Sequence, residues 1–222
     1  MSDFDGAGPP ASERKRHHAM SLIDTFEQSR LATGAGELWR RGVTAHFLDA
    51  VGDGSLPEVA FHRWLVQDFL FVRGFTRFVA LAISRTPRPA QSTLIGGLAA
   101  LDAELTWFEG HAEARNLDLG AAAHPTCRRY VDFLVASAYS EPFAVLLAII
   151  YGVEVAYTVA WGKLEASGRY AEFIERWTGA EFQQYVAELL RLADAHPHPG
   201  QQAAFDEVMR HERDFWRMTW SG

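Results

Sequence analysis

Cysteine is nearly absent. The 222-residue chain holds one, Cys127, which excludes an internal disulfide framework and any cluster of thiolates around zinc. Net positive charge is lacking too. Lysine and arginine number 21 against 28 aspartates and glutamates, a formal charge of −7, and the basic residues are dispersed, so nucleic acid and acidic membrane faces are poor partners. No uninterrupted apolar run reaches the roughly 18 residues of a membrane span. The opening MSDFDGAGPP followed by ASERKRHH carries no apolar signal core. These absences lead to the expectation of a cytoplasmic protein with a disordered tail over residues 1–18 and one domain over 19–222. Gly-x-Ser-x-Gly, Walker and Gly-x-Gly-x-x-Gly motifs are missing as well, which removes the signatures of serine hydrolases, phosphate-binding loops and dinucleotide folds. Aromatic residues, by contrast, make up 13% of the chain, and that many rings have to surround something.

Alternating β-branched runs are also missing, and the prolines fall between stretches of helical period, so the chain reads as all-α. The periodicity predicts helices over 19–33, 36–52, 57–86, 90–116, 125–139, 141–167, 169–177, 179–194 and 200–219. The breaks between them are short, as between antiparallel neighbours in a single-domain bundle.

Four of these helices carry an acid where an apolar residue belongs. Asp68 interrupts the row Trp64, Phe71, Phe75, Phe78. Glu104 falls in Gly97, Leu101, Phe108, His111; Glu154 in Leu147, Ile150, Tyr157, Trp161; and Glu212 in Phe205, Val208, Phe215, Thr219. A buried, unpaired carboxylate costs several kcal/mol. Each acid taken singly is explained by an arginine partner or a slightly rotated helix, but one polar pocket inside an aromatic bundle explains all four. Bundle interiors that gather Glu and His are also metal sites, and Glu104, His111 and Glu154 raise that reading. The histidines then run out: His211 adjoins Glu212 without sharing its face, and His17, His18, His124, His196 and His198 fall in the tail or in loops. Cys127, at a helix start, reads as a small buried hydrophobe.

The segment AHFLDAVGDGSLPEVAFHRWLVQDFLFVRGFTRFVALAISR closely resembles the signature region of the TenA family, also called thiaminase II. LDAELTWFEGHAEARN is similar to that family's middle helix and AFDEVMRHERDFWRMTW to its closing one. The resemblance implies a heme-oxygenase-like helical bundle, assembled as a homo-oligomer (dimer or tetramer), that binds a small-molecule aminopyrimidine derived from thiamin without a cofactor or metal. It makes Asp68 the residue that grips the aminopyrimidine and Glu212 an acid-base residue. One family branch attacks the pyrimidine with a thiol, but the equivalent helix here, AIIYGVEVAYTVAW, has no Cys. The sequence instead resembles the branch in which a glutamate, here Glu154, accompanies a following Tyr157 and Ala160-Trp161. Phe71 stands where a tyrosine is frequent.

The leading expectation is therefore a salvage hydrolase acting on an aminopyrimidine breakdown product, including the N-formylated amine. Glu154 and Glu212 would move protons, Tyr157 would donate a hydrogen bond, and Asp68, Glu104, Phe71, Tyr130, Trp64 and Phe205 would bind or wall the ring. Two alternatives stand beside it. A di-iron oxygenase on the same scaffold would want a His-x-x-x-Asp-x-x-His row on the last helix, where an anchor at His211 meets Val208 and Ala204 instead. A non-catalytic aminopyrimidine-binding or regulatory protein would keep the pocket without the chemistry.

Overall fold

The computed structural model describes residues 21–221, and the expected tail over 1–18 lies outside them. Among the described residues there is no strand. Ser21 opens α1 (Leu22–Glu27) through a reciprocal capping box with Asp24. The helix expected over 19–33 is in fact two, because Ser29 leaves the helical path and caps α2 (Arg30–Ala35) by accepting from the Ala32 amide. The stretch 36–52 divides likewise into α3 (Glu37–Gly42) and α4 (His46–Gly52). Its connector carries the inward-facing, β-branched Val43.

Prolines fix the starts of the long helices. Pro57 precedes α5 (Glu58–Ser84), Pro87 precedes α6 (Arg88–Glu113), and Pro125 is the first residue of α7 (Pro125–Ser140). His124, read from sequence as a solvated loop residue, has a structural job: its Nδ1 accepts from the Thr126 amide 3.1 Å away. Pro142 starts α8 (Phe143–Gly162), which stops five residues short of the expected 167, and a 3₁₀ turn at Gly168–Tyr170 leads into α9 (Ala171–Thr178). Then come α10 (Ala180–Ala195) and α11 (Gln201–Ser221).

The centre is α8. Every residue from Val145 to Trp161 is buried, against α11, α10 and α9. By length and composition α8 could cross a membrane, which corrects the expectation that no segment qualifies; 89% of its apolar window is buried inside the bundle. Beside it α5 packs between α6 and α7. Gly74 permits the α5–α7 contact, since a Cβ there would lie 2.5 Å from Val131 Cγ1. The rings form a continuous wall. Trp64 touches Phe47, Phe61, Phe108, Trp161, Phe173 and Trp177, with centroids between 5.4 and 6.1 Å apart.

A buried carboxylate cluster as candidate active site

The four acids converge. Asp68 and Glu212 are each 1% exposed and Glu154 is 7% exposed, while the Glu104 side chain keeps 14%. Their partners are few. The Tyr157 hydroxyl donates to Asp68 Oδ1 at 2.7 Å and the Tyr130 hydroxyl to Glu212 Oε1 at 2.6 Å, but Asp68 Oδ2 and Glu212 Oε2 have no partner. Among the described residues Glu154 has no hydrogen-bond partner. Of the four, Glu104 alone has a cationic neighbour: Arg176 Nε stands 4.0 Å away, and the Trp177 indole donates to it at 3.3 Å.

Burial dominates the electrostatics. It drives the Asp68 and Glu154 carboxyls well above the carboxylate range; the Tyr157 hydrogen bond opposes this at Asp68, and the charges of Glu104 and Glu212 add to it at both. Burial also lifts Glu104 to about 7, against the pull of Arg176, and Glu212 to about 8, against the Tyr130 hydrogen bond. Near neutrality the cluster therefore holds protons that ordinary acids have lost, which is the condition for proton transfer by carboxyl groups.

Two spaces meet at the cluster. An inner chamber is lined by Asp68, Phe71, Val72, Phe75, Leu101, Glu104, Val153, Glu154, Tyr157 and Trp177; its free volume is about 20 Å³, room for one water. An outer cavity of about 820 Å³ opens between α6 and the α9–α10 turn and shares Leu101, Glu104, Glu154 and Trp177 with the chamber. Glu154 thus faces both.

Of the residues singled out in the sequence, Asp68, Phe71, Glu104, Glu154 and Tyr157 line the chamber. Tyr130 and Glu212 adjoin it through Phe71, whose ring centroid is 4.7 Å from that of Tyr130. Two expected walls are elsewhere. Phe205, two helical turns and about 10 Å before Glu212, stacks between Trp39 and Tyr151. Trp64 belongs to the aromatic wall and does not line either space. Trp177, Arg176 and Tyr185 were not foreseen. They lie on the short α9 and on α10, where an aromatic or basic residue at amphipathic spacing carries no signal of its own.

The metal reading loses its histidine. His111 Nε2 lies 3.1 Å from Glu172 Oε1 and its Nδ1 3.0 Å from Arg115 Nη1, outside both spaces. His211 stacks on Tyr130 at 4.7 Å. Among the described residues no three His, Cys, Asp or Glu are grouped to hold a metal ion. Cys127 is fully buried, its thiol 3.5 Å from the Gln67 carbonyl and pushed up to about 12 by burial and by the charge of Asp68. Such a thiol is not a nucleophile at neutral pH.

Residues 35–222 match the TENA/THI-4/PQQC family. The chain belongs to that family. It is 25% identical to a Glycine max protein named "Probable bifunctional TENA-E protein", over 87% of this chain and 95% of that one. It is 23% identical to an aminopyrimidine aminohydrolase of Halalkalibacterium halodurans, over 84% and 92% of the two chains. Among solved structures, a TenA homologue from Pyrococcus furiosus superposes with a TM-score of 0.81 at 26% identity, covering 86% of this chain and 98% of its own. The all-α, TenA-type fold read from the sequence is the fold observed.

Proposed function

We infer that this member of the TENA/THI-4/PQQC family is a thiamin-related hydrolase that cleaves a C–N bond of an aminopyrimidine, using carboxyl groups in place of a thiol. The coarser reading, a hydrolase, rests on family membership and on the aminohydrolase relative. The finer one rests on a single observation: buried acids with unpartnered oxygens gather around a chamber from which the only cysteine is excluded.

Asp68 suits the ring. A carboxyl group meets an aminopyrimidine edge with two coplanar hydrogen bonds, accepting from the exocyclic amine and pairing with the ring nitrogen. Oδ2 is free for one of these, and Oδ1, which accepts from Tyr157, keeps a second lone pair for the other. A ring is far larger than one water, so its entry requires the chamber walls to part toward the outer cavity. Glu154, with no protein hydrogen bond to break, is the base that takes a proton from water and returns it to the departing nitrogen. Glu212, neutral until about pH 8, keeps a second proton in the cluster beside Tyr130.

The test is incubation of the purified protein with N-formylated aminomethylpyrimidine, the free aminomethylpyrimidine and thiamin. Release of free amine or ammonia supports the reading, and a folded protein that turns over none of them overturns it. Asp68→Ala is expected to weaken aminopyrimidine binding about 10²-fold, roughly 3 kcal/mol for two hydrogen bonds to a buried carboxyl. Asp68→Asn should cost less, because its amide presents one acceptor and one donor in the same plane. Calorimetric titration of the two variants checks that order.

A further inference from the structure

Hydrolysis of an amide needs a third element besides base and acid: a donor for the oxygen that becomes negatively charged when water adds to the carbonyl. The hydroxyls of Tyr157 and Tyr130 are occupied by Asp68 and Glu212, and the Trp177 indole by Glu104. Carboxyl protons aside, three buried donors among the described residues lack a partner: the Trp64 indole, which lies near the Tyr157 hydroxyl, the Trp161 indole and the Tyr185 hydroxyl. Neither tryptophan lines the chamber or the outer cavity. Tyr185 does, on the wall that also carries Glu154 and Glu104.

Its position is built into the fold. Tyr185 reaches from α10 across to α6, and its hydroxyl lies against Gly97, where a Cβ would overlap it. Ser92, Thr93, Gly96, Gly97, Ala100 and Ala103 keep that face of α6 low, so the cavity stays open beside Tyr185; the hydroxyl itself is sealed against α6 and meets a ligand by turning off Gly97. Burial and the nearby charge of Glu154 hold Tyr185 well above the usual tyrosine range, so it remains a neutral O–H donor throughout the working pH range. A buried hydroxyl left unpaired costs roughly 1–3 kcal/mol, and a ligand that pairs with it recovers that cost.

We propose that the outer cavity is an acyl subsite, in which Tyr185 donates its hydrogen bond to the carbonyl oxygen of an N-acyl aminopyrimidine while Glu154 activates the attacking water. This deepens the hydrolase reading and rests on it. Water oxygen bonds to the acyl carbon and gives its proton to Glu154. The carbonyl π pair moves onto the oxygen held by Tyr185. Collapse of that adduct breaks the C–N bond, the nitrogen takes the proton back, and the products are a carboxylic acid and the free amine. At about 820 Å³ the cavity is ligand-sized, so the subsite admits acyl groups larger than formyl.

Tyr185→Phe is expected to lower kcat on the N-formyl amine about 10²-fold with little change in KM, the loss seen when one oxyanion donor is removed. Its melting temperature should be unchanged or higher, because an unpaired hydroxyl has gone; a merely structural role would not separate kcat from stability in this way. Wild-type kcat in Tyr185→Phe overturns the subsite while leaving the hydrolase reading intact. If the wild-type protein hydrolyses nothing, calorimetry still decides. A preference of the wild type for the N-formyl amine over the free amine that vanishes in Tyr185→Phe supports the subsite, and equal preferences in both proteins overturn it.

Discussion

Replacing Glu154 by glutamine lowers kcat about 10³-fold without weakening the fold, the range expected when a general base is removed. The variant is clean for a structural reason. Glu154 makes no hydrogen bond to protein, so glutamine, equal in shape, breaks no contact; it removes only the capacity to take a proton. KM should move little, because ring recognition resides in Asp68. Steady-state kinetics on the N-formyl amine, alongside thermal melting of both proteins, check the split. A binding or regulatory protein behaves differently: it holds the aminopyrimidine without turnover and is indifferent to Glu154→Gln.

The second large effect is on stability. Glu212 ionises near pH 4.5 when exposed and near 8 in the fold, so the native state binds its proton more tightly than the unfolded state does. The stability this proton contributes is present in full below pH 4.5, declines as pH rises, and is gone above pH 8. The interval corresponds to about 5 kcal/mol at 1.36 kcal/mol per pH unit. Asp68, Glu104 and Glu154, also raised by burial, act in the same direction. Glu212→Gln removes one such proton while its amide oxygen can still accept from Tyr130. Denaturant titrations at pH 5 and pH 8 should show the variant gaining on the wild type as pH rises. Parallel stability curves would mean that Glu212 is ionised and compensated in the fold.

The acids were legible in the sequence because charge in an apolar helical row is costly, and four such rows place their exceptions on long, central helices where register leaves little freedom. The walls were less so. Phe205 shares the stripe of Glu212, but two turns of helix carry it to a different layer, where Trp39 and Tyr151 enclose it. Trp64 lies one turn before Asp68 and falls into the aromatic wall for the same reason. Tyr185 and Trp177 gave no signal, since their importance comes from what α10 and α9 face across α6 and α8, a tertiary fact that periodicity does not carry. The division of 19–33 and 36–52 was hidden because a serine cap and a three-residue connector between short helices leave the apolar spacing almost undisturbed. The apolarity of α8 was hidden in the other direction: Glu154 interrupts it once, and that one residue is the centre of the site.

The central claim is that carboxyl groups, and not the thiol, carry the reaction. It is tested most directly by measuring kcat/KM for the N-formyl amine from pH 5 to pH 10 with the wild-type protein and with Cys127→Ala side by side. Two superimposable profiles are predicted, with activity falling as pH drops through a carboxyl titration well above the ordinary glutamate value, because the base must be ionised to act. Loss of turnover in Cys127→Ala, or a profile whose limbs move with that substitution, would contradict it.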